Sequence, residues 1–339
     1  MMKNNNRVNF WDTLPRPFFA LAPMADVTDA AFRRIIAKYS KQQTVRHPGV
    51  EQFAMWTEFV SADGLVRAPE EGRKKLLADL MYDESERPIV AQLFSGKPEM
   101  MEKAATLARE LGFDGVDINM GCPDRAIEKQ GAGAAHIKDP KLAQEIILAA
   151  KQGARELPVS VKTRLGYNKD ELEEWLPALL ETGLAAVTIH ARTRKEMSKV
   201  PARWNRIARA VEIRNEFPRG DASRKTLIIG NGDIESIGDA RRKVAESGAD
   251  GAMLGRAIFG NPWLFSEHVP TTTEKLEALV EHTKLFEELL PHKSFALMKK
   301  YYKAYVTGFN GALELRRKLM ETENAEDVSS VVEESLNIL

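Results

Sequence analysis

The chain has 339 residues, 43% of them apolar and 29% charged, an ordinary globular composition. Lys and Arg together number 49, and Asp and Glu also number 49, so the net charge of zero gives no hint of an anionic partner, although local clustering can still supply one. The single cysteine, Cys122, excludes an intramolecular disulfide and a Cys-rich metal site. No apolar run approaches the roughly 20 residues of a membrane span, and the Asn-rich first residues do not read as a secretory signal. These bounds predict a cytoplasmic enzyme or binding protein without membrane association or metal, and a monomer is expected.

In chain order, short apolar runs predict strands at residues 18–22, around 56–59, and at 89–94, 115–119, 159–163, 186–190, 227–230 and 251–254. Most lack strict alternation, as strands buried on both faces should. Helical patterns lie between them at 98–111, 140–155, 169–181 and 236–247, and Gly112, Gly183 and Gly248 each follow a last turn as a C-cap would. Strands alternating with helices predict a parallel sheet. Polar and glycine residues follow nearly every strand, which favours a barrel over an open sheet. The barrel pattern stops near Trp263. Thr271 and Glu274 then form a capping box for a new helix. Leu276, Leu279, Val280, Thr283 and Phe286 make one apolar stripe, and Phe295, Met298, Tyr302, Tyr305 and Phe309 another. The predicted organisation is an α/β (β/α)8 TIM barrel over residues 1–265, followed by a small helical domain over 266–339.

Chemistry-bearing residues gather at the strand ends, the active face of a barrel. Cys122 follows the fourth strand in the run Asn119-Met120-Gly121-Cys122-Pro123, where a thiol can serve as nucleophile, base or acid. Gln92 ends the third strand, Lys162 the fifth, and His190 with Arg192 the sixth. Lys162 lies in a strand predicted to be buried, where an ammonium needs an anion or an electron-rich ring as partner. Asn231-Gly232-Asp233 and Gly255-Arg256 follow the seventh and eighth strands, where barrels often bind phosphate. In the tail, Lys293, Lys299, Lys300, Lys303, Arg316, Arg317 and Lys318 stand against Glu314 alone between residues 291 and 318. Lys293, Lys300 and Lys303 are predicted to share a flank, either a solvated face or a phosphate-contacting surface.

These motifs, in this order, resemble the tRNA-dihydrouridine synthase family. The matching stretches are L-A-P-M-A-D-V-T-D with Phe32-Arg33, T-E-F-V-S-A-D-G-L, A-Q-L-F, D-I-N-M-G-C-P, G-A-G-A-A, V-K-T-R-L-G, I-H-A-R-T-R, N-G-D-I and G-R-A, spanning residues 19–265. The resemblance implies an FMN-containing barrel with a helical RNA-binding domain, reducing the C5=C6 bond of uridines in tRNA, or in rRNA, with NADPH as transient reductant. By motif, Pro23, Met24 and Ala25 would line the flavin, Gln92 would hydrogen-bond it and Lys162 would sit near its N1/O2 edge. His190, Asn231, Gly232, Asp233, Gly255 and Arg256 would hold the ribityl phosphate. Asn119 and Arg192 would meet the target base and its surroundings, with Lys299, Lys300, Lys303 and Arg316 on the RNA. Cys122 would be the proton donor to C5. Two departures stand out: an extra loop at residues 41–52, and Lys195-Glu196-Met197-Ser198-Lys199 where many relatives carry a tyrosine. The alternatives are a flavin barrel acting on a free pyrimidine and a non-catalytic RNA-binding barrel.

Overall fold

The computed structural model describes residues 9–41, 52–217 and 225–337. Eight parallel strands pair in sequence order and close on themselves: β1 (Phe18–Leu21), β2 (Phe53–Ser61), β3 (Ile89–Phe94), β4 (Gly115–Asn119), β5 (Val159–Arg164), β6 (Ala186–His190), β7 (Leu227–Asn231) and β8 (Gly251–Leu254). Helices return the chain along the outside, as the predicted (β/α)8 barrel requires. The second strand is much longer than its sequence signal. It runs nine residues, and its pairing with β3 shifts register between Trp56 and Phe59. That bulge breaks the pattern a sequence reading depends on. The helix predicted at 169–181 begins only at Leu172. The preceding residues form a turn in which the Glu171 N–H donates to Leu165 O at 2.9 Å and the Glu171 carboxylate accepts from the Tyr167 N–H at 2.7 Å.

Side chains alternate across each strand, so every second residue fills the barrel. Phe10, Trp11 and Leu14 pack with Phe18, Ala54, Trp56, Val90 and Ala186 and close the end where the strands begin. Further up, the pairing registers set Gln92, Asp117 and Ser160 side by side. Asn119, Lys162 and Thr188 form the next layer toward the mouth. Apolar packing thus gives way to polar side chains along the barrel axis.

The tail folds into helices at Thr272–Leu289, Lys299–Tyr305, Ala312–Glu321 and Ala325–Leu336, with a short 3-10 turn at Phe295–Met298. The Thr271–Glu274 capping box is formed. These helices share one hydrophobic core with the barrel. Phe32 stacks on His282 at 4.9 Å, and the Tyr301 hydroxyl donates to Val27 O at 2.7 Å. Gly260, at φ +65°, lets the chain after β8 press on the tail, because a Cβ there would lie 2.3 Å from the backbone of Ala304.

One prediction for the tail is corrected. Lys293 shares no helical flank with Lys300 and Lys303, because it lies in a turn ahead of Ser294, which caps the 3-10 turn. Its ammonium pairs with Glu58 at 2.8 Å and Asp79 at 3.0 Å, and is largely buried. The extra loop falls outside the described residues except at its ends. At one of them, Lys41 donates to the carbonyls of Glu86 and Arg87. Among the described residues, no helix is long and apolar enough to cross a membrane.

Candidate active site

The turn after β4 is held from three sides. The Asn119 side-chain oxygen accepts the N–H groups of Gly121 at 3.1 Å and Cys122 at 2.9 Å. Arg164, two residues past Lys162 on the same strand, donates from Nε to Gly121 O at 2.7 Å. Its Nη1 reaches the carbonyls of Thr193 and Met197, which joins this turn to the segment after β6. Cys122 O accepts the Ala134 N–H at 2.9 Å, fixing the G-A-G-A-A stretch beneath it. The Cys122 side chain is half-buried against Phe94, Ile127 and Ala132. Burial pushes its thiol up, against the opposing pull of the Asp124 N–H and the cations Arg164 and Lys162. The sulfur therefore keeps its proton at neutral pH, which suits an acid better than a nucleophile.

Below this turn lies a network that the sequence reading missed. Asp117 is fully buried. It accepts from Gln92 Nε2 at 2.6 Å on one oxygen and from the Ser160 hydroxyl at 2.5 Å on the other. Gln92 in turn accepts from Asn119 Nδ2 at 3.2 Å. Burial raises the Asp117 carboxyl to about 6, despite the opposing hydrogen bonds from Gln92 and Ser160 and the charge of Lys162. Lys162 is pushed down to about 8 by burial and then by repulsion from Arg164. Among the described residues, its ammonium has no hydrogen-bond or ion-pair partner. Thr188, beside it in register, keeps a buried hydroxyl with no hydrogen-bond partner among the described residues. Two polar groups thus face the mouth without a protein partner, as a ligand site requires.

The strand ends from β6 to β8 form a second cluster. Arg192 is only 3% exposed and donates to Val200 O at 2.5 Å, to His190 Nε2 at 3.1 Å and to the Asp233 carboxylate. A guanidinium only donates, so His190 must accept on Nε2 and carry its proton on Nδ1. Burial holds this imidazole far down, at about 2, helped by the charges of Lys162, Arg164, Arg192 and Arg256. Asp233 also accepts from the Ala202 N–H at 2.8 Å and from Arg256 at 2.7 Å. Its burial works to raise the carboxyl, but these donors together hold it below the usual range. Gly232, at φ +118°, leaves room for His190, whose ring carbon would otherwise lie 3.0 Å from a Cβ. Asn231 donates to Met253 O at 2.8 Å and so ties β7 to β8. The guanidinium of Arg256 is 69% exposed and held by Asp233, so it alone of the two arginines is presented outward. Arg192 is committed to holding Asp233 and His190.

Pro23, Met24 and Ala25 form the edge of the mouth beside Gly255, where a Cβ would meet nothing nearer than Met24 Sδ at 3.6 Å. Thr28 fixes Met24, accepting its N–H at 2.9 Å. Arg33 holds Thr28 O at 2.6 Å and pairs with the fully buried Glu86 at 2.7 Å. Removing one partner of such a buried pair typically costs about 3–5 kcal/mol. From the tail, Lys300 reaches this same edge and donates to Asp26 O. Lys299 is turned to Met320 O at 2.8 Å. Lys303 is exposed, and Arg316 is half-buried beside the loop at residues 307–311. In the segment that departs from the family pattern, Glu196 pairs with Arg203 at 2.7 Å, and Met197 stands 44% exposed at φ +54°.

A closed (β/α)8 barrel with polar side chains gathered at its strand ends is the architecture of the barrel enzymes, whose sites lie at that face. The dihydrouridine synthase model matches residues 20–338, and the chain belongs to that family. It is 39% identical to a probable tRNA-dihydrouridine synthase of Staphylococcus aureus strain COL, over 96% of this chain and 95% of that one. It is also 39% identical to probable tRNA-dihydrouridine synthase 2 of Bacillus subtilis strain 168, over 96% of each. Among solved structures, the fold is similar to morphinone reductase, with a TM-score of 0.50 at 14% identity over 75% of this chain and 85% of that one. It is similar at the same TM-score to histamine dehydrogenase from Rhizobium sp. 4-9, at 12% identity over 79% of this chain and 48% of that one.

Proposed function

We propose that the protein reduces the C5=C6 bond of uridines in tRNA, with FMN held in the barrel mouth and NADPH as the reductant. The observation that carries this reading is the ammonium of Lys162, without a partner among the described residues, beside the unmet hydroxyl of Thr188 and within electrostatic reach of the protonated Cys122. The donor set fits a flavin: the ammonium of Lys162 and the outward guanidinium of Arg256 suit a polar ring and a phosphate. When bound and reduced, a flavin held there would supply the hydride that C6 of the uracil takes up. The pair of electrons displaced from C5=C6 is stabilised toward the C4 carbonyl, and Cys122 Sγ–H delivers the proton to C5. Lys162 stabilises negative charge at the bottom of the mouth, as a preorganised positive charge there can. Arg192 and Asp233 aim Arg256, and the neutral His190 donates through Nδ1. A stacked base cannot reach this depth, so the uridine must be flipped out of its RNA. Lys303, Arg316 and neighbouring cations steer the surrounding phosphates. The chain carries no Rossmann-type glycine fingerprint, so the nicotinamide docks at the same mouth. The test is incubation of unmodified tRNA transcript with protein, FMN and NADPH, followed by mass analysis of the digested nucleosides. A uridine heavier by two hydrogens supports the reading, and reduction of free uracil with tRNA untouched moves it to a free pyrimidine.

A further inference from the structure

We propose that Asp117 is a positioning residue for Cys122, acting through a one-way relay of side-chain amides. This rests on the proposed role of Cys122 only for its importance, not for its geometry. An ionised carboxylate can only accept hydrogen bonds. Asp117 therefore requires Gln92 to present its NH2 group, as it does at 2.6 Å. Gln92 is then left with its carbonyl oxygen toward Asn119, which must answer with its own NH2 group, at 3.2 Å. The Asn119 oxygen is left for the turn, where it accepts the N–H groups of Gly121 and Cys122 at 3.1 and 2.9 Å. The two ends of each amide have nearly the same shape, so shape alone does not choose its orientation. The acceptor-only group at the base of the relay removes that freedom.

The rest of the surroundings agree with this assignment. Ser160 donates to the second oxygen of Asp117, so both carboxylate oxygens accept and neither offers Gln92 a donor. Lys162 lies close enough to favour the ionised form, although no ion pair forms between them. Gln92 and Asp117 are fully buried, and Asn119 is 7% exposed, so water does not compete for the relay. Asp117 touches neither the thiol nor the open mouth. Its influence on Cys122 passes through two side chains, Gln92 and Asn119, and ends on the backbone.

Cys122 is the only cysteine, so the rate of its alkylation by iodoacetamide reports on this turn alone. The measurement uses the full chain with flavin content matched between variants by absorbance. Asp117→Asn places a group that both donates and accepts at the base of the relay. Gln92 and Asn119 can then flip, and alkylation should speed up by about fivefold or more, the equivalent of one neutral hydrogen bond. The double variant Asp117→Asn with Gln92→Glu moves the acceptor-only group one step along the relay. Asn119 must again present its NH2 group, and the alkylation rate should return toward that of the parent. A merely structural role for Asp117 would not be rescued by a second substitution. An unchanged rate in Asp117→Asn, or a raised rate that the double variant fails to lower, overturns the proposal. Should Asp117→Asn not fold, Gln92→Met cuts the same relay at similar volume; faster alkylation supports the proposal and an unchanged rate overturns it. Loss of the proton-donor reading would show separately, as undiminished turnover in Cys122→Ala while the variants that keep Cys122 show this alkylation pattern.

Discussion

Arg164 donates to the carbonyl of Gly121 at 2.7 Å while reaching Thr193 and Met197 with its other nitrogen, so one buried side chain spans the loops after β4 and β6. The turn bearing Cys122 is thus fixed from the strand that carries Lys162. Thiol and ammonium are held to one framework, and neither depends on a mobile loop for its place. Burial lowers the Arg164 guanidinium to about 10, still far enough above neutrality that the charge persists.

Cys122→Ala should retain flavin and RNA affinity but lose turnover by a factor of about a hundred or more, as for other general acids. Single-turnover rates with saturating tRNA check this, and an unchanged rate removes the thiol from the chemistry.

Arg192→Met should weaken FMN binding by about tenfold, because the charged hydrogen bonds that aim Asp233, and through it Arg256, are worth roughly 1.5–3 kcal/mol each. Arg256→Ala should weaken it similarly without disturbing the fold, since this guanidinium is mostly exposed. Fluorescence quenching of FMN measures both, and full affinity in Arg256→Ala would exclude a phosphate at this loop.

Lys303 and Lys293 should behave oppositely. Lys303→Ala leaves stability unchanged and lowers the slope of log affinity for tRNA against log salt by about one. Lys293→Ala leaves the slope intact but destabilises the fold by about 3 kcal/mol or more, because Glu58 remains buried without its cation. Salt titrations and urea unfolding separate the two, and a changed slope in Lys293→Ala would return that residue to the RNA surface.

Buried histidines give the fold an acid limit. Burial holds His136 down to about 4 and His282 down to about 3, whereas the unfolded chain protonates near 6.5. Below that value the unfolded state binds more protons than the native one, so stability falls as pH drops and levels off only below the native values. For His282 the loss between pH 7 and 5 should be about 2 kcal/mol. His282→Phe keeps the stack on Phe32 and should lose that much less over the same interval in urea unfolding. Parallel losses in both proteins would contradict the assignment.

Much of this was visible in the residue pattern because barrel strands are buried on both faces and announce themselves as apolar runs. β3, β4, β6 and β8 begin and end where that pattern predicts. β2 was under-read because its bulge hides the alternation. Asp117 escaped because a carboxylate inside an apolar strand reads as an interruption. The available signal was parity: it stands two residues before Asn119, and so shares its face. Arg164 carried the same signal, two residues after Lys162. Lys293 was misplaced because its partner Glu58 lies 235 residues away, and no local period encodes such a pair.

The most direct measurement of the central claim is an anaerobic absorption spectrum of the FMN-loaded protein, taken with NADPH and then with unmodified tRNA transcript. Bleaching of the flavin bands by NADPH and their return only when uridine-containing tRNA is added is the predicted result. A protein that binds no flavin when FMN is supplied, or whose reduced flavin is indifferent to tRNA, would contradict the account.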